Sequence, residues 1–331
     1  MTEGDILGIL AALALGVFLG WLLDRSRFNF DKVFRWPSAK GNREWMYAWL
    51  FALSVVWLAM GIAFLNHWCD VQKLPDIGPI ASLLSGFLSG AAIGLLGQCP
   101  LTIVLGAGAM SLWALAAFAS WAAGLLVGLH TVLAIPIVGI QGWLINYGWQ
   151  GVSDFIGIPR WIVLLVFAVG FMVWMMRLPV SVRPKQMEWP KQGVLFGVAV
   201  SIGWLLALKG GNFGGLNLVE AVDDVWVGLT GGKLWLRPAL LVSVGMAGWG
   251  FVRSIRMGKV FADPLKEWKP ALALAGAAFL LGLAGALGKG CPLAHAFFGT
   301  GILHFGSLLF VAGMWGGGAL MGRLGRAKGA A

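Results

Sequence analysis

Residues 94–101 read GLLGQCPL and residues 285–293 read GALGKGCPL. The chain has three cysteines, and two of them, Cys99 and Cys291, stand in nearly the same setting, with glycine before and proline after inside an apolar run. Proline locks φ, lacks an N–H and pushes the preceding residue away from helical geometry, so it suits the first turn of a helix and not its interior. Pro100 and Pro292 are therefore expected to interrupt long apolar segments and to start short new helices. The first N–H groups of those helices need partners from outside the helix.

The runs that carry these motifs belong in a bilayer. Of 331 residues, 59% are hydrophobic and 11% charged, which excludes an ordinary soluble domain. Stretches such as WMYAWLFALSVVWLAMGIAFL at 45–65 reach the roughly 17 to 25 apolar residues that cross the hydrocarbon as a helix. The first run, 4–23, follows the acidic leader MTEGD and precedes no small-residue cleavage site, so it is read as a retained span rather than a signal peptide. The formal charge of +10 is spread over short loops rather than along one face, which argues against nucleic acid as a partner.

Those loops set an orientation. There are six basic residues in 24–44, four in 177–192 and five in 253–269, with Arg323, Arg326 and Lys328 in the tail. Segments 67–78, 131–160 and 210–235 hold one each. The positive-inside rule places the first group in the cytoplasm and the second outside, with the N-terminus outside and the C-terminus inside. Spans at 4–23, 45–65, 161–176, 192–208 and 237–252 then alternate in direction. The segments 79–130 and 270–322 each start and finish on one side, giving about nine crossings plus partly inserted helices.

The two halves thus follow one plan in opposite directions. GWLLDRSRFNF at 20–30 and GWLLALKGGNF at 203–213 agree at six of eleven positions without a gap, pairing Asn29 with Asn212. A Cys–Pro motif follows each. The expected architecture is an all-α polytopic membrane protein with an inverted-topology repeat: a first repeat over 1–150, a connecting span and cytoplasmic loop over 151–190, and a second repeat over 191–331. Inverted repeats of this kind belong to transporters, with the site near the midplane where the repeats meet. A duplication retained only for folding would leave the same pattern.

Two helix starts inside the membrane, one per repeat, suit an anion. Cysteine adds a soft, polarisable group, although a single cysteine is also an ordinary small buried side chain. The repeat relation singles out Cys99 and Cys291; Cys69, in NHWCD, is read as structural. Lys289 lies two residues before Cys291 and either attracts an anion or snorkels to an interface. Lys209 has the same two readings. His295 would share a helix face with Cys291, hinting at a soft metal, but no second imidazole stands near Cys99. His67, His130 and His304 have no ligand spacing. Gly86, Gly90 and Gly94 form a small-residue row suited to close helix contact, and Trp45, Trp161 and Trp235 suit interfacial anchors.

The order GWLLDRSRFNF, GQCPL, GKGCPLAHAFFGTG resembles the YeeE/YedE family of bacterial inner-membrane proteins over essentially the full chain. The resemblance implies an hourglass-like fold, uptake of thiosulfate or a related sulfur compound, and a TusA-like cytoplasmic sulfur carrier as partner. It also implies that Cys99 and Cys291 are two of three path cysteines. The third falls at Asn29, whose amide offers donors and an acceptor but no thiol chemistry.

The leading expectation is uptake of a small sulfur-containing anion, without enzymatic activity or cofactor, along a path formed by Cys99, Cys291, Asn29, Asn212, Pro100, Pro292 and Lys289. There is no Walker A motif, so the drive is a gradient or consumption inside. Alternatives are a membrane sulfur redox enzyme using both cysteines, a docking subunit for a sulfur carrier, and soft-metal transport.

Overall fold

A computed structural model describes residues 3–35, 43–68, 78–142, 151–178, 187–209, 215–233, 235–258 and 268–329. Among them the chain is helical, with one isolated bridge between Gly151 and His304. The first half comprises α1 (Glu3–Ser26), α2 (Phe30–Phe34), α3 (Arg43–Leu65), α4 (Pro79–Leu96), α5 (Pro100–Gly108) and α6 (Leu112–His130). Then come α7 (Ala134–Gly142), α8 (Val152–Ile156) and α9 (Arg160–Met176). The second half has α10 (Trp189–Lys209), α11 (Leu218–Leu229), α12 (Pro238–Arg256), α13 (Trp268–Gly288), a π-helix, π1 (Ala294–Gly299), and α14 (Phe305–Gly329).

Eight of these helices are long and apolar enough to cross a membrane: α1, α3, α4, α6, α10, α12, α13 and α14. The ninth expected span is α9, an apolar helix of 17 residues, about 25 Å long at 1.5 Å per residue. Large apolar side chains stay exposed on the outer helices, among them Leu7 and Leu10 of α1 and Val166 and Val169 of α9. In lipid such a surface carries no penalty, whereas in water it would form an extended sticky patch.

The packing comes in pairs. α4 lies on α14, and α13 on α6; α1 lies on α12, and α10 on α3; α2 touches α3 and α14, while α11 touches α12 and α6. Exchanging α1 to α6 for α10, α11, α12, α13, π1 and α14 reproduces each of these contacts. Two further contacts, α4 with α13 and α1 with α10, join equivalent helices to each other. Close approach depends on small residues, as the glycine row of α4 suggested. A Cβ on Gly86 would lie 2.0 Å from the Phe310 carbonyl oxygen, and one on Gly90 2.2 Å from that of Met314. α9 has no equivalent, packing mainly on α3. Trp45, expected as an anchor at the membrane surface, is instead buried against Phe28, with Lys32 Nζ 4.5 Å from its ring.

Candidate functional site

Both motif cysteines are buried free thiols, Cys99 at 0% and Cys291 at 1% exposure. Each ends a break between two helices. α4 stops at Leu96, and α5 starts at Pro100 with Cys99 as its extended N-cap. α13 stops at Gly288, and the next helical run starts at Pro292 and continues as π1. The prolines act as the sequence reading expects, fixing the first turn where no N–H is needed. Two residues before each cysteine the chain turns left-handed, at Gly97 (φ 65°) and at Lys289 (φ 51°). For lysine that conformation is strained and requires support from its surroundings.

The support comes from a second element in each half. Asn29 is the N-cap of α2, its Oδ1 accepting from Asp31 N–H at 3.1 Å, while its Nδ2 donates to the Gly97 carbonyl at 2.5 Å. Asn217 is the N-cap of α11, its Oδ1 accepting from Val219 N–H at 3.2 Å, while its Nδ2 donates to the Lys289 carbonyl at 3.1 Å. Left-handed residues precede both asparagines by two, Arg27 and Gly215. Each is flanked by buried apolar side chains, Phe28 and Phe30 in one half, Leu216 and Leu218 in the other. Asn217 is thus the counterpart of Asn29 among the described residues. Asn212, its partner in the ungapped match, lies outside them, as do Cys69 and the Lys209 side chain.

Each sulfur therefore faces two helix starts. The backbone N–H groups near Cys99 Sγ belong to Leu101 and Thr102 of α5 and to Phe30 of α2. Those near Cys291 Sγ belong to Leu293 and Ala294 after Pro292 and to Leu218 of α11. Helix N-termini carry partial positive charge and donors with no partner inside the helix. The polarity around both thiols thus favours electron-rich atoms without a buried cation. Lys289, beside the second break, has an exposed side chain. It contributes to the break through its carbonyl.

The asparagines continue outward into charge. Asn217 Nδ2 also donates to Glu220 at 3.1 Å, and Glu220 accepts from Arg237 at 3.0 Å; Arg237 pairs with Asp224 at 3.2 Å. In the other half Asp31 accepts from Arg35 at 2.5 Å, and Arg35 also donates to the Gly94 carbonyl near the end of α4. The sequence reading did not single out Asn217, Glu220 or Thr102. The signal was present: asparagine followed three residues on by glutamate marks a helix start, and Cys99 with Thr102 has similar spacing.

Three histidines, His130, His295 and His304, are engaged in the fold. His295 sits between the Gly288 carbonyl and Ser307 Oγ, at 3.0 Å from each, stacked on Phe310 with ring centroids 4.0 Å apart. Both ring nitrogens are taken, and the described residues hold no group of three His, Cys, Asp or Glu able to bind a metal. His130 pairs with Asp223 at 2.7 Å, and His304 meets Ser307 at 3.4 Å.

No curated protein matches the chain. The model of a family described as "Sulphur transport" matches residues 25–320, a stretch that contains both asparagines, both Cys–Pro breaks and every helix between them. A multi-pass helical architecture, a duplicated buried thiol site and a family match over most of the chain agree: this protein belongs to the YeeE/YedE sulphur transport family.

Proposed function

We propose that the chain carries a small sulfur-containing anion, thiosulfate first among candidates, across the bacterial inner membrane through the two Cys–Pro breaks. The family makes it a transporter of a sulfur compound in a bilayer. The observation that carries the finer reading is the convergence of two helix starts on each buried sulfur, repeated in both halves. Those N–H groups suit the oxyanion end of thiosulfate, and a thiol suits its soft terminal sulfur. Cys99, Cys291, Pro100, Pro292, Asn29 and Asn212 form the path in this reading, with Lys289 drawing the anion to the second break. The paired packing supports two inverted repeats, 1–150 and 191–331, joined through 151–190. The basic segments 24–44 and 253–269 then face the cytoplasm, where a TusA-like sulfur carrier would receive the product.

Uptake of labelled thiosulfate into proteoliposomes, with sulfite, sulfate and selenium analogues as competitors, tests this. Cys99→Ala and Cys291→Ala are each expected to lower uptake by about tenfold or more, as for an interaction made on the transport path. Unchanged uptake in both variants would remove the thiol path.

A further inference from the structure

Both sulfurs are buried, so an anion reaches them only when the breaks open, and the two breaks are held shut differently. At Cys99 the backbone N–H donates to Thr102 Oγ1 at 2.9 Å, and the same hydroxyl donates back to the Cys99 carbonyl at 2.9 Å. The acceptor for the Cys99 N–H thus lies within α5, while Asn29 holds the Gly97 carbonyl from the start of α2. At Cys291 the residue three positions on is Ala294, which has no hydroxyl, and the Cys291 N–H donates instead to Asn217 Oδ1 at 3.2 Å. Asn217 is 2% exposed and makes four hydrogen bonds at once. Its Oδ1 accepts from Val219 and Cys291, and its Nδ2 donates to the Lys289 carbonyl and to Glu220. Arg237 grips the far side of Glu220 and reaches Asp224.

We infer that Asn217 is the positioning residue of the second break: it ties α11 to the strained turn at Lys289 and to the Cys291 N–H, so that the exposure of Cys291 is set by α11 and the Arg237–Glu220 pair behind it. This rests on the proposed thiol path and adds the element that opens one half of it. The geometry gives the reason. Removing the amide leaves the buried Cys291 N–H without an acceptor and the Lys289 carbonyl without this donor, while Lys289 keeps its strained φ. Each change favours the opened break. α11 is the natural lever because its charged residues, Glu220, Asp223 and Asp224, are held by Arg237 and His130 rather than by the apolar core.

The test reads the thiol and not transport. Purified protein in detergent is treated with N-ethylmaleimide, and labelling of Cys291 and Cys99 is followed separately by peptide mass spectrometry. Asn217→Ala is expected to speed Cys291 labelling roughly 5- to 30-fold, with Cys99 changing by less than about twofold. Asn217→Ser is the discriminating variant. Its hydroxyl still caps α11 but is one atom too short to bridge to Lys289 and Cys291, so its labelling should match that of Asn217→Ala. Glu220→Gln, which keeps the side chain's shape and weakens the grip of Arg237, should give a smaller rise. Slow wild-type labelling in Asn217→Ser would show that capping alone suffices and would overturn the inference, as would equal acceleration at Cys99 and Cys291, which signals general loosening. Loss of uptake in the cysteine variants has no bearing on this outcome, so the two proposals fail separately.

Discussion

Around Cys99 the short helix α5 lies directly on α12, glycine against backbone: a Cβ on Gly250 would come 2.3 Å from the Leu105 carbonyl oxygen, and one on Gly108 2.2 Å from that of Ala247. Around Cys291 the equivalent helix faces α3 across tryptophans. Trp49 Nε1 donates to the Ala296 carbonyl at 3.1 Å and Trp57 Nε1 to that of Thr300 at 2.8 Å. The backbone ends also differ by one residue. Left-handed Met110 closes the first short helix eleven residues after Cys99, and left-handed Leu303 closes the second twelve after Cys291. The extra residue is taken up as π1, where widened turns loosen the regular bonding, and the indoles bind two of the carbonyls. One half thus holds its break by close packing and a local cap, with Asn29 at the start of α2 on the Gly97 carbonyl. The other holds it by side chains reaching in from α3 and α11. Two halves with matching contacts can be equally closed and yet be held by different means.

That difference can be probed from the strongest change downward. Gly250→Leu forces a side chain into the backbone of α5, and overpacking of this kind costs about 1–3 kcal/mol or more. A large fall in the thermal midpoint in detergent is expected, together with faster maleimide labelling of Cys99. A stable Gly250→Leu protein with Cys99 still protected would mean that α5 is not held by its contact with α12. Thr102→Val keeps the shape of the side chain and leaves the Cys99 N–H without its acceptor, a loss of about 1–2 kcal/mol. It should raise Cys99 labelling and spare Cys291, the reverse of Asn217→Ala. Equal effects at both cysteines would erase the distinction between the breaks. Asn29→Cys brings a third path thiol to the position where the family resemblance expects one, and removes the cap of α2, worth about 1 kcal/mol. A modest loss of stability with a shift of uptake preference toward thiosulfate over sulfate is expected. An unchanged preference would place Asn29 off the path and leave it as a clamp on Gly97.

Much of this was legible in the sequence because a bilayer permits few solutions. Apolar runs of spanning length have to be helices there, since every backbone polar group must find a partner. Proline after cysteine inside such a run has to start a helix or break one. The helix starts at Pro100 and Pro292 were legible for the same reason. The pairing of the asparagines was harder. The segment between GWLL and the asparagine is five residues longer in the second half, so an ungapped match settles on Asn212 and passes over Asn217. His295 misled in another way: its spacing from Cys291 resembles a ligand pair, whereas both ring nitrogens serve Gly288 and Ser307.

By itself the sequence determined the class of fold and the two points where helices break at Cys–Pro, because hydropathy, proline and glycine act locally. Tertiary structure alone decided what holds each break. Whether the Cys291 N–H is met by a hydroxyl three residues on or by an amide 74 positions away depends on which elements arrive beside it. A hydrogen bond spanning that distance in the chain leaves no periodic trace; it exists only where packing brings α11 and the second break together.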